Sequence, residues 1–308
     1  MLLSIVIPCF NEEDTLPETI SRIEAVLKKI DSYSFELIFV DDGSKDKTKQ
    51  ILVEKCKVNK KIKIVSFSRN FGHQFALDAG ITNAAGDAII IMDADLQDPP
   101  EVIPKMIEKW VEGFDVVYAV RSKREGESWF KKCTAYSFYR IQRFLSDIEI
   151  PADTGDFRLI SRRIADLLVS LPEKDKFFRG LIPWLGFKQA SITYDRHERF
   201  AGTTKYTLSQ MTKLGMSGLL SFSIKPLTFF TTIGATISLL SFIGIIHTLW
   251  AKFFTDALVD GWTTLMITIL FIGGVQLIAV GVLGEYLGRV FAEVKDRPKY
   301  IIDEKIGF

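Results

Sequence analysis

The sequence has 308 residues, of which 47% are hydrophobic and 25% charged, the balance of a folded chain rather than a disordered or collagen-like one. Its 39 Lys and Arg against 38 Asp and Glu leave a formal net charge of +1, which argues against nucleic-acid binding by bulk charge. Cys9, Cys56 and Cys133 stand far apart with no CxxC pair, so neither a disulfide framework nor a zinc cluster is expected, and a reducing compartment fits.

From the N-terminus, short apolar runs alternate with longer amphipathic ones. Met1 to Phe10 is apolar but has no basic leader and is broken by Pro8, so it reads as a strand and not as a secretory signal. Leu2–Ile7, Phe35–Val40, Ile62–Phe67, Ala88–Met92 and Val116–Val120 are expected as buried strands of a parallel sheet. Thr15–Ile30, Asp46–Cys56, His73–Ala84 and Glu101–Glu112 are expected as helices between them. The alternation predicts an α/β fold, a doubly wound sheet covered on both faces. Polar clusters follow the first, second and fourth strands, where ligands bind in such folds. No GxGxxG follows a strand and no GxxxxGK[ST] occurs, which disfavours a nicotinamide or flavin enzyme and excludes a P-loop ATPase.

Leu227–Trp250 and Gly261–Gly284 each run 24 positions without Asp, Glu, Lys or Arg. At ~1.5 Å per residue each would reach about 36 Å as a helix, enough for a bilayer core of about 30 Å. The ten residues between them make a short loop, so an antiparallel transmembrane hairpin is expected. Lys205, Lys213 and Lys225 precede the first span, with no acidic residue from Gly202 to Pro226. The positive-inside rule then places the N-terminal domain in the cytoplasm, with Trp250 and Trp262 at the far interface. Thr203–Ile224 is expected as an amphipathic helix on the cytoplasmic membrane face. The domain plan is 1–200 catalytic, 201–226 interfacial, 227–250 and 261–284 transmembrane, and 285–308 a cytoplasmic tail.

Asp93 and Asp95 stand two residues apart beyond an apolar strand. Side chains at i and i+2 of an extended segment point the same way, so the two carboxylates repel unless a cation lies between them. Oxygen ligands suit Mg²⁺ or Mn²⁺, and Gln97 continues the alternation with an amide oxygen. The competing reading is a solvated acidic turn before the next helix; a place just after a buried strand favours the cation site. Asp41 and Asp42 form either a turn and helix cap or carboxylates that accept hydrogen bonds from a base or ribose.

Four segments carry a resemblance: Val6-Ile7-Pro8-Cys9-Phe10-Asn11-Glu12, Val40-Asp41-Asp42-Gly43-Ser44 with Asp46 and Thr48, Ser68-Arg69-Asn70-Phe71-Gly72, and Asp93 to Glu101. They resemble family 2 glycosyltransferases of the GT-A fold. With Gly155-Asp156-Phe157-Arg158-Leu159 and two C-terminal spans, the chain is similar to the polyisoprenyl-phosphate branch, which includes bactoprenol glucosyltransferases and dolichol-phosphate mannose synthases. The resemblance implies that Pro8, Phe10, Glu12 and Asp42 line a nucleotide pocket. It implies that Asp93, Asp95 and Gln97 hold the metal and the donor diphosphate, and that Arg121 meets the donor. Arg199, Gly202, Thr204 and Lys205 fit the family's R-x-x-G-x-[ST]-K loop, which contacts phosphates. Asp156 is implied near the acceptor, as a positioning group or a base. His73 departs from the Lys or Gln more usual after Asn-Phe-Gly and reads as a partly exposed helix-start residue.

The expected reaction is an inverting, metal-dependent sugar transfer from a nucleoside diphosphate sugar to polyprenyl phosphate. Resemblance makes glucose and a uridine nucleotide the first choice, with GDP-mannose or another sugar the alternative. The acceptor phosphate is already ionised near neutral pH, with a second pKa of roughly 6, so it needs positioning more than a base. A processive polysaccharide synthase predicts a QxxRW motif, which the chain lacks. A non-catalytic scaffold predicts loss of the paired acids, which are present. Trp129–Phe144 mixes aromatic and basic residues and is read as a lipid- or subunit-facing surface rather than a nucleic-acid one. Gly273, Gly274, Gly281 and Gly284 permit close helix contact, and a homo-oligomer is expected.

Overall fold

The computed structural model describes residues 1–121, 154–195, 225–254 and 261–308. They fall into two units, one holding 1–121, 154–195 and 298–308, the other 225–254 and 261–297. Outside the described residues lie Trp129–Phe144, the loop carrying Arg199, Gly202, Thr204 and Lys205, and the expected amphipathic segment Thr203–Ile224.

The first unit begins as the apolar pattern predicts. β1 (Leu2–Cys9), α1 (Leu16–Leu27), β2 (Ser34–Asp41), α2 (Thr48–Val58), β3 (Ile62–Phe67), α3 (His73–Asn83) and β4 (Ala88–Ile91) follow in order. A 3₁₀ turn at Pro100–Val102 leads into α4 (Ile103–Val111), and β5 (Val116–Arg121) follows. Pro17 and Pro104 sit in the first turns of α1 and α4, where a missing N–H costs nothing. Continuous apolar runs make fully buried strands: Leu3, Ile5, Val6, Ile7, Ile38, Phe39 and Val40 expose nothing. Burying each such side chain contributes about 1.5–3 kcal/mol.

The rest of the unit adds β6 (Thr154–Ser161), α5 (Arg162–Ser170), α6 (Phe178–Trp184) and β7 (Gln189–Tyr194). Eight strands form one sheet in the order β7-β5-β6-β4-β1-β2-β3-β8, where β8 is Ile302–Ile306. The sheet is mixed rather than wholly parallel. β4, β1, β2 and β3 form a parallel block. β5, expected as one more parallel strand of that block, is separated from β4 by β6, which pairs antiparallel with both. An antiparallel ladder satisfies the same backbone groups, so a strand from the opposite direction closes the gap. Chain order reverses between β1 and β4, which opens a crevice at their carboxyl ends.

Two glycines set how closely layers approach. At Gly80 in α3 an added Cβ would lie 2.2 Å from Val6 Cγ1, so α3 rests directly on β1. Gly43 has φ +66°, and an added Cβ would lie 2.4 Å from Arg69 C, a place open only to glycine.

Residues 285–308, expected as a plain tail, finish a helix and then supply β8, which pairs antiparallel with β3. Tyr300 stacks on Phe67 with ring centroids 4.8 Å apart, and Lys49 reaches Asp303 at 3.2 Å. The sequence Ile-Asp-Glu-Lys-Ile is too polar to read as a core strand, but a charged strand suits a sheet edge that faces water. Buried Asp78 of α3 holds Lys176, from the α5–α6 connection, at 3.2 Å and Lys299 at 3.4 Å.

The second unit consists of α7 (Lys225–Phe254) and α8 (Trp262–Val294), two helices that touch each other. α7 covers the stretch 227–250 and α8 covers 262–284, and both extend beyond. Among the described residues one stretch, Phe271–Val294, is long and apolar enough to cross a membrane, and a shorter apolar stretch runs from Leu227 to Ile237. Within that stretch Arg289 and Glu285 pair one turn apart at 4.0 Å.

Candidate active site

The loops after β1 and β2 are laced together. Asn11 donates its N–H to Ser44 Oγ at 3.0 Å, and its side-chain oxygen accepts from Lys45 N at 2.8 Å. Glu12 N–H reaches Thr48 Oγ1 at 2.8 Å. Pro8 is buried in β1 opposite Val40, and Phe10 is half-buried just beyond it. Glu12 is half-buried too, its carboxylate accepting from Thr15 Oγ1 at 2.7 Å.

Asp41 and Asp42 are both buried. Asp41 accepts from Ser44 N at 3.1 Å, which fits its turn reading. Asp42 Oδ1 accepts from Phe71 N at 2.7 Å, and Oδ2 from Asn70 Nδ2 and Gly72 N, both at 2.9 Å. Asp42 therefore clamps the Ser68–Gly72 loop after β3. Burial pushes both carboxyls up, and the hydrogen bonds from Ser44 to Asp41 and from Phe71 and Gly72 to Asp42 offset part of it.

Beyond β4 the predicted alternation is present. Asp93, Asp95 and Gln97 are half-exposed, whereas Ala94, Leu96 and Asp98 are buried between them. Leu96 holds φ at +59° to keep the alternation through the turn. Thr19 Oγ1 bonds Ala94 O at 2.8 Å, and Asp98 is bonded by the Tyr194 hydroxyl, so the loop is pinned from both sides. Asp95 Oδ1 accepts from Gln97 N at 3.1 Å. Enclosure in the crevice, with Asp98, Asp156 and Asp95 nearby, pushes the Asp93 carboxyl up to about 7 against the pull of His73.

Asp156, on β6, is buried to 3% side-chain exposure. Arg179 grips it with Nε to Oδ1 at 2.9 Å and Nη2 to Oδ2 at 2.8 Å, and His73 Nε2 lies 3.2 Å from Oδ2. His73 also stands 3.8 Å from Asp93 Oδ1. Burial opposes charge on Asp156, but Arg179 and His73 outweigh it and hold the carboxyl well below the usual carboxylate range. Burial likewise opposes charge on His73, yet Asp156 and Asp93 push it up to about 8. Arg158, two residues along β6, is 3% exposed, and its Nε finds no hydrogen-bond partner among the described residues.

The structure thus brings Asp93, Asp156 and His73 together and sets Asp95 and Gln97 beside them. Arg121 ends β5 opposite Tyr194. Arg199 and Lys205 lie outside the described residues. Sequence reasoning missed two members. His73 is the half-buried helix-start residue expected, but it also bridges two carboxylates; its place after Asn-Phe-Gly was the available signal. Arg179 had none, because its partner lies 23 positions away on another element.

Among the described residues no three His, Cys, Asp or Glu are gathered tightly enough to hold a metal ion. The donor set still fits a hard cation of the Mg²⁺ or Mn²⁺ kind, which often binds through one or two carboxylates and completes its shell with water and substrate phosphates.

Comparison with known proteins accords with this geometry. Residues 4–168 match the model of glycosyl transferase family 2, and residues 225–290 match the GtrB C-terminal hairpin. The glycosyltransferase YkcC of Bacillus subtilis is 49% identical over 99% of this chain and 94% of its own. The prophage bactoprenol glucosyl transferase homolog of Escherichia coli K12 is 42% identical over 98% of each chain. A structure of glucosyl-3-phosphoglycerate synthase from Mycobacterium tuberculosis, in complex with Mn²⁺, UDP and phosphoglyceric acid, superposes with TM-score 0.52 at 19% identity over 71% of this chain and 78% of that one. It shares the fold. The hairpin and the apolar part of α8 point to membrane association. The chain belongs to glycosyl transferase family 2 and is a glycosyltransferase that carries the GtrB-type C-terminal hairpin.

Proposed function

We propose that this enzyme transfers glucose from UDP-glucose to a polyprenyl phosphate at the cytoplasmic face of the cell membrane, with inversion at the anomeric carbon and with a divalent cation. The observation that carries the reading is the outward row of Asp93, Asp95 and Gln97 at the crevice, in a chain that also carries a membrane-type hairpin. The bactoprenol glucosyl transferases among its relatives support the lipid acceptor and the sugar. The Mn²⁺ and UDP of the structural neighbour are in keeping with the donor.

Asp93 and Asp95 would hold the cation, with Gln97 beside them. A bound divalent cation supplies Lewis-acid stabilisation of the leaving diphosphate. The loops after β1 and β2, with Pro8, Phe10, Glu12 and Asp41, would receive the nucleotide. Asp42 would serve it indirectly, by holding the Ser68–Gly72 loop. Arg121 would meet the donor, and Arg199 and Lys205 the acceptor phosphate. The acceptor oxygen attacks C1 as the bond from C1 to the diphosphate breaks, and UDP departs with the electron pair.

Chain order supports the hairpin topology. The α/β unit contains the described residues before the hairpin and takes the chain back at Pro298 for β8. A segment whose two ends belong to one folded unit crosses a bilayer an even number of times, so a crossing α8 requires a crossing α7.

The test is transfer by the purified full-length chain in detergent, with undecaprenyl phosphate and radiolabelled UDP-glucose, with and without chelator. Label entering the organic phase, and failing to enter it with chelator, is the expected result. Label entering only from GDP-mannose would replace the donor. Label entering despite chelator would remove the cation.

A further inference from the structure

Four elements converge on one buried carboxylate. Asp156 lies in β6, Arg179 near the start of α6, His73 at the start of α3, and Asp93 in the loop after β4. A group that takes a proton must have a lone pair within hydrogen-bond reach of it. Of the about four lone-pair sites of the Asp156 carboxylate, three are committed, since Arg179 engages both oxygens at 2.9 and 2.8 Å and His73 faces Oδ2 at 3.2 Å, and the side chain is only 3% exposed. A two-point guanidinium–carboxylate pair fixes direction as well as distance. The exposures are graded: the Asp156 side chain is 3% exposed, while those of Arg179 and His73 are 34% and 26%. The carboxylate is inside, and Arg179 and His73 are its more exposed partners.

Arg158 adds to the demand for this anion. It is buried on the same face of β6, since residues i and i+2 share a face, and its guanidinium bonds Gly155 O at 2.7 Å. Without Asp156, the guanidinium groups of Arg158 and Arg179 would share one region with that counter-ion gone.

We infer, resting on the sugar-transfer reading above, that Asp156 is a positioning residue: it sets Arg179 and His73 beside the metal loop and takes no proton in the reaction. The step balances without a base. The acceptor phosphate, already ionised, forms the bond to the anomeric carbon, and the diphosphate leaves with the electron pair of the bond that breaks. His73, 3.8 Å from Asp93, carries the positioning through to the donor side.

The experiment is a double-mutant cycle on the full-length chain: Asp156→Asn, Arg179→Met and the pair, with Arg179→Lys as the conservative variant. Initial rates are measured while donor and acceptor are varied separately. Each single change should lower kcat/KM by about 10- to 100-fold, the range of coupled charge pairs. The double variant should fall within about threefold of the worse single, because one unit has been broken either way. Arg179→Lys should recover part of the loss, and donor KM should rise. A proton acceptor behaves otherwise: Asp156→Asn would cost the same factor in kcat with or without Arg179, and Arg179→Met would spare kcat. Either result overturns the inference. If Asp156→Asn does not fold, Arg179→Met against Arg179→Lys decides, since the anchor requires loss in the first and partial recovery in the second. If the native chain transfers no label, the sugar-transfer reading fails by itself. The same cycle read by calorimetry of UDP with Mn²⁺ then decides the anchor: non-additive losses keep it, and additive losses discard it.

Discussion

The two units put the same side chains to opposite uses. In the α/β unit Leu3, Ile5, Ile7 and Phe39 expose nothing, whereas in the hairpin Leu239 is 61% and Leu277 75% exposed. One set is hidden from water by a sheet and its helices. The other is exposed among the described residues, the surface of a hairpin that points to membrane association. The contrast extends to glycine. Gly80 is a contact point, while a Cβ at Gly281 would meet nothing within 4 Å. The candidate site residues Asp93, Asp156 and His73 lie in the packed unit, where a precise core can fix polar loops.

The sharpest way to separate the units by function is Asp95→Ala. It removes a half-exposed side chain outside the buried core, so the chain should still fold and insert, as checked by its melting temperature and membrane fraction. Transfer should fall about a thousandfold, the several kcal/mol that a Lewis acid contributes, as read by the label assay. Unchanged transfer would end the role assigned to this carboxylate.

Next comes a charge placed in each apolar surface. Leu283→Arg in α8 should cost about 2.5–3.5 kcal/mol of insertion free energy near mid-bilayer, seen as protein lost from the carbonate-resistant membrane fraction. Val58→Arg, at a site 87% exposed in the α/β unit, should change neither insertion nor melting temperature. Equal behaviour of the two variants would erase the contrast.

Gly80→Val and Gly281→Val test packing. The first should destabilise by about 1–3 kcal/mol, because the new methyl groups must displace Val6, and should lower the melting temperature of the detergent-solubilised chain. The second should leave it unaltered.

The smallest effect concerns pH. Burial would raise the Glu36 pKa, but Lys63, Ser4 and the Ala85 N–H outweigh it and hold it below its ordinary 4.5. A lowered carboxylate pKa stabilises above the unfolded value, and that stability is lost as pH falls through the folded value. The native chain should therefore exceed Glu36→Gln by about 1 kcal/mol at pH 7. The gap should close as pH drops below 4.5, measured by melting temperature against pH.

What the sequence displayed and what it concealed have physical reasons. β1 to β4 were legible because a strand buried on both faces is an unbroken apolar run. The site loops were legible because each follows such a run with abrupt polarity. β6 was not, since Asp156 and Arg158 interrupt its pattern; Asp156 is held in the interior by Arg179 and His73 from other elements, and Arg158 bonds Gly155 O within the strand. β7 is half-buried and β8 mostly exposed, so neither carries the core signature. His73 looked bland for a related reason: its role depends on two carboxylates, 20 and 83 positions away, that only folding brings near.

The return of β8 to the sheet has a consequence for the order of assembly. Lys49 and Asp303 meet although they stand 254 positions apart, and between them the chain commits two long helices to their own environment. During synthesis the β3 edge must wait, open and unpaired, until α8 has emerged and settled. The hairpin is thus an insertion within the catalytic fold rather than an appendage to it. The eight-stranded sheet is therefore complete only after the hairpin has been synthesised, because its last strand follows α8 in the chain.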